Sequence, residues 1–461
     1  MNISLRKIYT VLFFLGVFFI PFNSYRGISF LGEYRRDAAI LFFLASILFC
    51  FLEVMLKRKI VVPIKSIYFQ ILLLFVMCLM FSIGVNFISV LENYYKQTSG
   101  LNRFLRQFIA LLLMILVFLV CHAITIRYSV KQVLFKFRKV FLYSFIVVVF
   151  YGFFECLIVY FKILAFKDFL FLFNYFPFTD VYLDITFGRI SSVSYEPPFL
   201  AIYLITVSGW MFSYIVTEKR FSKYIPSILI ILLTFFSGSR TAFIVVSLQL
   251  SAFLWIAFSV SKKFQNILQR FILINFIFFA ILLSFNHSKI IPAIEKKIQT
   301  LNFKKNIDTN VSNKSRFGIQ YASLLVFSEN PILGVGFGQQ TYHSIDKYPK
   351  WAIKENYEFK ESYLNQLKKS FPPGFNMYTR LLAETGLLGT MIFISFISFL
   401  IYISKKRILS QFNEQRVLSI IIYVSFIGFI INWFQFDSFR LYGFWICLSL
   451  FIYNGKYLVN E

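Results

Sequence analysis

Residues 38–56 read AAILFFLASILFCFLEVML, and the next three residues, 57–59, read KRK. An α-helix needs about 20 predominantly apolar residues to cross a hydrocarbon layer of about 30 Å, and residues 38–56 meet that requirement. The basic residues follow the apolar run directly, which is typical of a connection on the cytoplasmic side of a membrane. This stretch therefore predicts a transmembrane helix that ends at the cytoplasm.

Runs of this kind recur along the whole chain, so the protein is predicted to be polytopic. Of its 461 residues, 58% are hydrophobic and 15% are charged, and the mean hydropathy is +0.71. A soluble protein of this size carries far more charge. The twelve runs lie near 8–22, 38–56, 67–90, 105–126, 140–163, 197–217, 224–237, 241–261, 268–286, 376–404, 417–435 and 440–456. We expect an all-α membrane helical bundle.

The connections between these runs alternate in length and charge. Five short basic connections, near 57–65, 127–139, 219–223, 262–270 and 405–416, fall on one side, which the positive-inside rule makes the cytoplasm. Both termini are then cytoplasmic, and the first run is a retained helix because no small-residue cleavage site follows it. The predicted order is helices 1–5 (1–163), an extracytoplasmic loop (164–196), helices 6–9 (197–286), a large, partly helical extracytoplasmic loop (287–375) and helices 10–12 (376–461).

Composition also argues against several functions. The net charge is +26, but no segment pairs basic residues with an exposed aromatic platform, so nucleic acid is not an expected partner. The five cysteines lie in apolar runs and the three histidines are scattered, which predicts no metal site. No Walker A sequence is present, which argues against ATP-driven transport.

Two polar positions stand at the start of predicted membrane helices. Glu196 precedes two prolines, which suit the start of a helix. Its carboxylate is either a structural group stabilised by the helix N-terminus, or it faces an outer polar cavity together with Arg189. Arg240 lies in FSGSRTAF, a connection so short that its two helices must form a tight hairpin. It is either an interfacial arginine whose side chain reaches water, or a phosphate ligand, since a guanidinium binds phosphate oxygens in pairs.

The large loop and its exit carry further polar residues. Arg316 begins a candidate helix that runs to Val326, and ENPILGVGFG (329–338) then predicts a turn. His343 is a candidate base or a solvated loop residue. Asn376, Arg380 and Glu384 are spaced to share one helix face, and the last two are either a structural ion pair or catalytic residues.

Three segments occur in a fixed order around the large loop: SGSRTAFIVVSL at 237–248, RFGIQYASLLVFSENPILGVGFG at 316–338 and NMYTRLLAETGLLG at 376–389. Together with the topology, they resemble the O-antigen polymerase and ligase superfamily over roughly residues 185–400. The element EPPFLAIYL at 196–204 resembles the polymerase members. Ligases typically carry a histidine before the asparagine that opens the helix after the loop, whereas this chain has Phe375 there.

The resemblance implies a cofactor-free glycosyltransferase at the outer face of the bacterial cytoplasmic (inner) membrane. Such an enzyme polymerises oligosaccharide repeat units linked to undecaprenyl diphosphate into O-antigen or capsular polysaccharide, alongside a flippase and a chain-length regulator. By motif, Arg240, Arg316 and Arg380 match basic positions proposed to hold the diphosphate. The candidate catalytic residues are Glu196, Arg240, Arg316, Arg380 and His343, and the candidate substrate-binding residues are Arg189, Tyr195, Asn376 and Glu384.

Two alternatives stay open. A ligase would transfer finished glycan to a lipid A core, although Phe375 removes its expected base. A transporter such as a lipid-linked oligosaccharide flippase belongs to a different class. It should show internal helix repeats and charges near the membrane midplane. No repeat is found in this sequence, and the candidate polar groups cluster towards the outer surface.

Overall fold

The computed structural model describes residues 4–57, 61–185, 188–260, 311–368 and 371–455, together with 265–266, 269–274 and 277. The α-helices of these residues are α1 (Leu5–Phe18), α2 (Ala38–Lys57), α3 (Ile67–Val85), α4 (Phe87–Glu92), α5 (Gly100–Thr125), α6 (Val130–Val159), α7 (Lys167–Phe171), α8 (Pro197–Thr217), α9 (Ile225–Phe236), α10 (Arg240–Val260), α11 (Val311–Glu329), α12 (Gln340–Ser344), α13 (Lys350–Ile353), α14 (Met377–Ser410), α15 (Asn413–Asn432) and α16 (Tyr442–Gly455). A small antiparallel hairpin pairs β1 (Tyr94–Tyr95) with β2 (Thr98–Ser99).

The predicted all-α polytopic bundle is confirmed. Within the described residues, eight helices are long and apolar enough to cross a membrane, and they are α2, α3, α5, α6, α8, α10, α14 and α15. Three further predicted runs form the shorter helices α1, α9 and α16. Most of the ninth predicted run, 268–286, and residues 287–310 of the predicted large loop lie outside the described residues.

Several connections meet on one side of the bundle, which we call the large-loop side. The Tyr195 amide, just before α8, donates to Asn23 Oδ1 between α1 and α2 at 2.6 Å. Arg316 of α11 donates to Gln435, between α15 and α16, at 2.8 Å. These contacts agree with the predicted alternation, in which all of these connections are extracytoplasmic.

Helix α16 lies at the centre of the bundle. Every residue from Tyr442 to Asn454 is buried, as expected for a helix that is hydrophobic all round. Its 14 residues extend only about 21 Å, which is shorter than a hydrocarbon layer. The connection that precedes α16 is partly buried, and it carries Asp437 and Arg440 into contact with Arg380 and Glu33.

Helix α14 is broken once along its length, at Gly386, which has φ +61° and ψ −159°. Glycine adopts such a conformation without steric cost. In an unbroken helix the amides of Leu387 and Leu388 would bond to the carbonyls of Ala383 and Glu384. The break frees these four groups, and within a membrane each unsatisfied group would cost several kcal/mol.

A segment of the large loop satisfies all four groups. The two amides donate to the carbonyls of Pro331 and Ile332, at 2.8 and 3.3 Å. The two carbonyls accept from the amides of Val335 and Gly336, both at 2.9 Å. The Pro- and Gly-rich segment that predicted a turn is thus also the hydrogen-bonding partner of the α14 break, and it ties the large loop to the bundle.

We predict that Gly386→Ala destabilises the protein by about 2 kcal/mol or more, because a β-carbon there would lie 2.3 Å from the Ile332 backbone at a positive φ. The matched control is Gly84→Ala in α3, where a β-carbon meets nothing within 4 Å. Thermal unfolding of the detergent-purified variants measures both effects. Equal unfolding temperatures for the two variants would contradict the role given to the break.

Candidate functional site

Two arginines from distant parts of the sequence approach each other on the large-loop side. Arg240 is the first residue of α10, and its Nη2 donates to Asn313 Oδ1 of α11 at 2.8 Å. Arg316 lies about one turn further along α11, and its Nη1 donates to Gln435 Oε1 at 2.8 Å. Both side chains are half-buried, and the charge of Arg316 acts on Arg240. A pair of cations held this close suits a ligand with more than one negative charge.

The turn before α10 explains how Arg240 is positioned. The predicted tight hairpin is present, since only Ser237, Gly238 and Ser239 separate α9 from α10. The Ser239 hydroxyl accepts the Ala242 amide at 3.3 Å, which caps the new helix. Gly238 has φ +66°, and a β-carbon there would lie 2.7 Å from Arg189 Cγ. The Arg189 side chain therefore packs directly on the turn that carries Arg240.

Arg189 also connects this turn to Glu196. It forms an ion pair with Asp184 at 3.1 Å, and its charge acts on Glu196. The Glu196 side chain makes no capping hydrogen bond at the start of α8, so its carboxylate is not used to cap that helix. Partial desolvation raises the pKa of Glu196 above its ordinary value, although Arg189 and Arg36 oppose the shift.

The backbone before Glu196 is held by a buried carboxylate that the sequence did not indicate. Glu155 of α6 accepts the amides of Ser191 at 3.0 Å and Ser192 at 2.7 Å. The neighbouring Tyr195 ring lies under the Arg36 guanidinium, 3.5 Å from its carbon to the ring centroid. Tyr195 therefore lies beside Glu196 with its ring face already engaged by a cation.

Phe375 and Asn376 lie next to Arg316. The Arg316 guanidinium carbon is 5.3 Å from the centroid of the Phe375 ring. Asn376 is the N-cap of α14, where its Oδ1 accepts the Tyr378 amide at 2.8 Å, and its Nδ2 is 3.5 Å from Gln320 Oε1 on α11. It therefore precedes the helix rather than sharing a helical face with Arg380 and Glu384, because its side chain is used for capping.

Arg380 and Glu384 form an ion pair, which is the geometry expected if their role is structural. Arg380 Nε lies 3.0 Å from Glu384 Oε1, and both side chains are almost completely buried. Arg380 Nη1 also donates to the Asp437 carbonyl at 2.6 Å, while Asp437 Oδ2 accepts the Gly374 amide at 2.5 Å. This arrangement fixes the entry to α14 against the connection before α16.

The buried charges continue into residues that the sequence analysis did not single out. Glu33 is paired with Arg103 at 3.3 Å and with Arg440 at 3.5 Å. Although burial opposes ionisation, Arg440 and Arg103 lower the pKa of Glu33 below its ordinary value. Gln107 joins the two groups of charges by approaching both Glu33 and Arg380, each at 3.4 Å. These partners are so distant along the chain that no local motif could reveal them.

His343 lies in a different environment. Its Nε2 is 3.5 Å from Asn93 Nδ2, near the hairpin that precedes α5. Burial and the charge of Lys347 lower its pKa, although Glu329 opposes them. Among the described residues, its recorded partners include none of the other candidate site residues.

The structure thus sorts the candidates into three groups. The first group lies on the large-loop side and is joined by packing, hydrogen bonds through neighbouring residues and the mutual effects of charge; it consists of Arg189, Tyr195, Glu196, Arg240, Arg316 and Asn376. Arg380 and Glu384 form a buried ion pair beside that set, joined to it by residues 374–376. His343 stands apart from both.

Residues 225–394 match the family model described as O-antigen ligase. This match confirms the resemblance to the O-antigen polymerase and ligase superfamily over that range, and it supports membrane glycosyl transfer of that type without distinguishing a ligase from a polymerase. No curated protein matches the chain significantly. Arg240, Arg316 and Arg380 lie inside the matched range, whereas Arg189 and Glu196 lie before it.

We predict that Arg380→Gln lowers stability by about 3 kcal/mol or more, because it leaves Glu384 buried without its cation. Adding Glu384→Gln should recover part of this loss, since the pair is then removed together. The control is Lys368→Gln, which breaks an exposed ion pair with Glu361 and should cost less than about 1 kcal/mol. Unfolding temperatures in detergent measure the stability of all three variants. If the double variant regains none of the stability lost by Arg380→Gln, the paired role of the two residues is contradicted.

Proposed function

With the O-antigen ligase match as the premise, we propose that this protein polymerises glycan repeat units carried on undecaprenyl diphosphate. The supporting observation is that two half-buried arginines, Arg240 and Arg316, lie near each other on the large-loop side. Arg316 also lies next to Phe375. Two neighbouring guanidinium groups suit the two phosphates of a lipid diphosphate. The positive-inside pattern supports an outer-face location in the bacterial inner membrane.

The proposed reaction is a direct displacement at the anomeric carbon of the donor glycan. A hydroxyl of the acceptor sugar forms a new bond to that carbon, while the bond from the carbon to the diphosphate oxygen breaks. Negative charge grows on the departing undecaprenyl diphosphate. Arg240 and Arg316 would stabilise this charge, and fixed cations in a partly desolvated site are effective because they need no reorganisation.

The proton of the attacking hydroxyl would go to Glu196. Its pKa is raised above the ordinary glutamate value, which makes its carboxylate a better base near neutral pH. Glu196 is linked to Arg240 through Arg189, whose side chain packs on Gly238. The mechanism requires this base and the diphosphate ligands to reach opposite faces of one anomeric carbon. His343 is the weaker candidate because its contacts are elsewhere.

Phe375 favours a polymerase over a ligase. It occupies the position where ligases typically carry a histidine, and it lies against Arg316. A phenyl ring cannot accept a proton, so a base has to come from another element, and Glu196 in the polymerase-like EPPF segment supplies one. Arg380 would act indirectly, by holding the entry to α14 through Glu384 and Asp437.

We predict that Arg240→Ala and Glu196→Gln each leave cells with a surface glycan of a single repeat unit. Removing one charge-stabilising donor typically lowers turnover about a hundredfold. Polymer formation from purified protein and lipid-linked repeat units measures this loss directly. The control is Arg26→Ala, which removes an exposed arginine on the same side with no ion pair recorded among the described residues.

The outcomes separate the alternatives. Normal long-chain polymer from both variants would exclude the proposed mechanism. Loss of all glycan attachment, with polymer still formed on the lipid carrier, would indicate a ligase. Accumulation of repeat units on the inner leaflet would indicate a flippase.

We also predict a pH dependence that belongs to Glu196. Because the base works in its ionised form, kcat/KM should rise with pH through a pKa above the ordinary glutamate value and then level off. Glu196→Asp should keep such a rise at reduced activity, whereas Glu196→Gln should abolish it. A wild-type profile that is flat across the range from acidic to neutral pH would contradict the assignment.

A further inference from the structure

A large cavity runs along α6 and α9 and includes the connection between α8 and α9, at the end of α8 opposite Glu196. It has a volume of about 930 Å³ and is bounded by α6, by α9 and by the connection between α8 and α9. Ile146, Phe150 and Phe153 of α6 form one apolar wall and remain about half exposed, at 51%, 48% and 56%. Leu229 of α9 contributes to the other wall.

The short α9 explains why this cavity is open. Its 12 residues extend about 18 Å, far less than the hydrocarbon thickness of about 30 Å. The C-terminal ends of α6 and α9 lie level with each other, since the Tyr160 hydroxyl donates to the Phe236 carbonyl at 3.0 Å. The 30-residue α6 therefore extends beyond the other end of α9, where α9 begins at Ile225. Within the described residues, Ile146, Phe150 and Phe153 of α6 stay about half exposed beside the short α9, and lipid is the natural material to cover them.

The end of the cavity nearest the connection is basic. Lys219 and Arg220 are exposed and Lys223 is half-buried, and all three contribute to the lining. Glu218, the acidic residue of the lining, is already paired with the buried Arg138 at 3.0 Å. Within the part of the chain that the structure describes, no ion pair is recorded for the three basic side chains. Positive charge therefore accumulates where the apolar walls end.

This combination of an apolar slot and a basic rim matches the chemistry of a phospholipid. We propose that the cavity binds an anionic glycerophospholipid from the leaflet on this side. Its phosphate would contact Lys219, Arg220 and Lys223, and an acyl chain would lie along the Ile146–Phe153 face of α6. This inference does not depend on the proposed glycan chemistry, because it concerns the end of α8 opposite Glu196.

The test uses the purified full chain in detergent, titrated with phosphatidylglycerol or phosphatidylcholine of identical acyl chains and analysed by native mass spectrometry. We expect tighter retention of phosphatidylglycerol. The variant Lys219→Ala/Arg220→Ala/Lys223→Ala should weaken that retention at least about tenfold, since each basic side chain near a lipid headgroup contributes measurably. Val149→Trp, which fills the cavity between the walls without changing charge, should lower the retention of either lipid.

The matched control is Lys131→Ala/Lys405→Ala/Lys406→Ala, which removes the same charge from exposed positions on the same side but away from the cavity. If this control loses as much phosphatidylglycerol retention as the cavity variant, the lipid is attracted by the basic surface in general, and the proposal is overturned. It would also be overturned by equal retention of the two lipids, by unchanged retention in both cavity variants, or by glycerol phosphate competing as well as the lipid. Circular dichroism and elution volume confirm that each variant is folded.

Discussion

Backbone hydrogen bonding inside a membrane is the constraint on which the rest of this structure depends. The break of α14 at Gly386 would leave four polar groups unsatisfied, and the loop segment Pro331–Gly336 supplies a partner for each. This exchange anchors the large loop within the bundle instead of leaving it in solvent. Because α11 leads directly into that segment, the same hydrogen bonds hold Arg316 near α10 and Arg240.

The charged residues of the large-loop side fall into two systems with different physical roles. Arg380 and Glu384 are buried, Glu33, Arg103 and Arg440 are partly buried, and these five residues form ion pairs with one another. Arg240 and Arg316 are held instead by neutral amides of Asn313 and Gln435. An amide oxygen orients a guanidinium without carrying a formal charge of its own, and the charge of Glu358 also acts on Arg316. The proximity of these two guanidinium groups favours them for binding a diphosphate.

Periodicity and charge alternation were sufficient to predict the fold class and most helices from sequence. The hydrophobic runs are local signals, and α2, α3 and α8 were recognisable because each carries its own apolar length. The short sequence that predicts the tight turn before Arg240 is also a local signal. In contrast, the pairing of Glu33 with Arg440 joins residues near the two ends of the chain, and nothing in either neighbourhood specifies it. The spacing of Asn376, Arg380 and Glu384 does not reveal that Asn376 caps α14, because residues four apart give no sign of where the helix begins.

The enclosed position of α16 has a consequence for how this protein is made. This helix follows every other described helix in the chain, yet it occupies the middle of the bundle. During synthesis the earlier helices enter the membrane before α16 is available to occupy its central position. Arg440 then reaches Glu33, and the buried charge network is completed only at that moment. Assembly of the large-loop side is therefore coupled to the synthesis of α16, and a chain interrupted before α16 would lack both the central helix and the partner of Glu33.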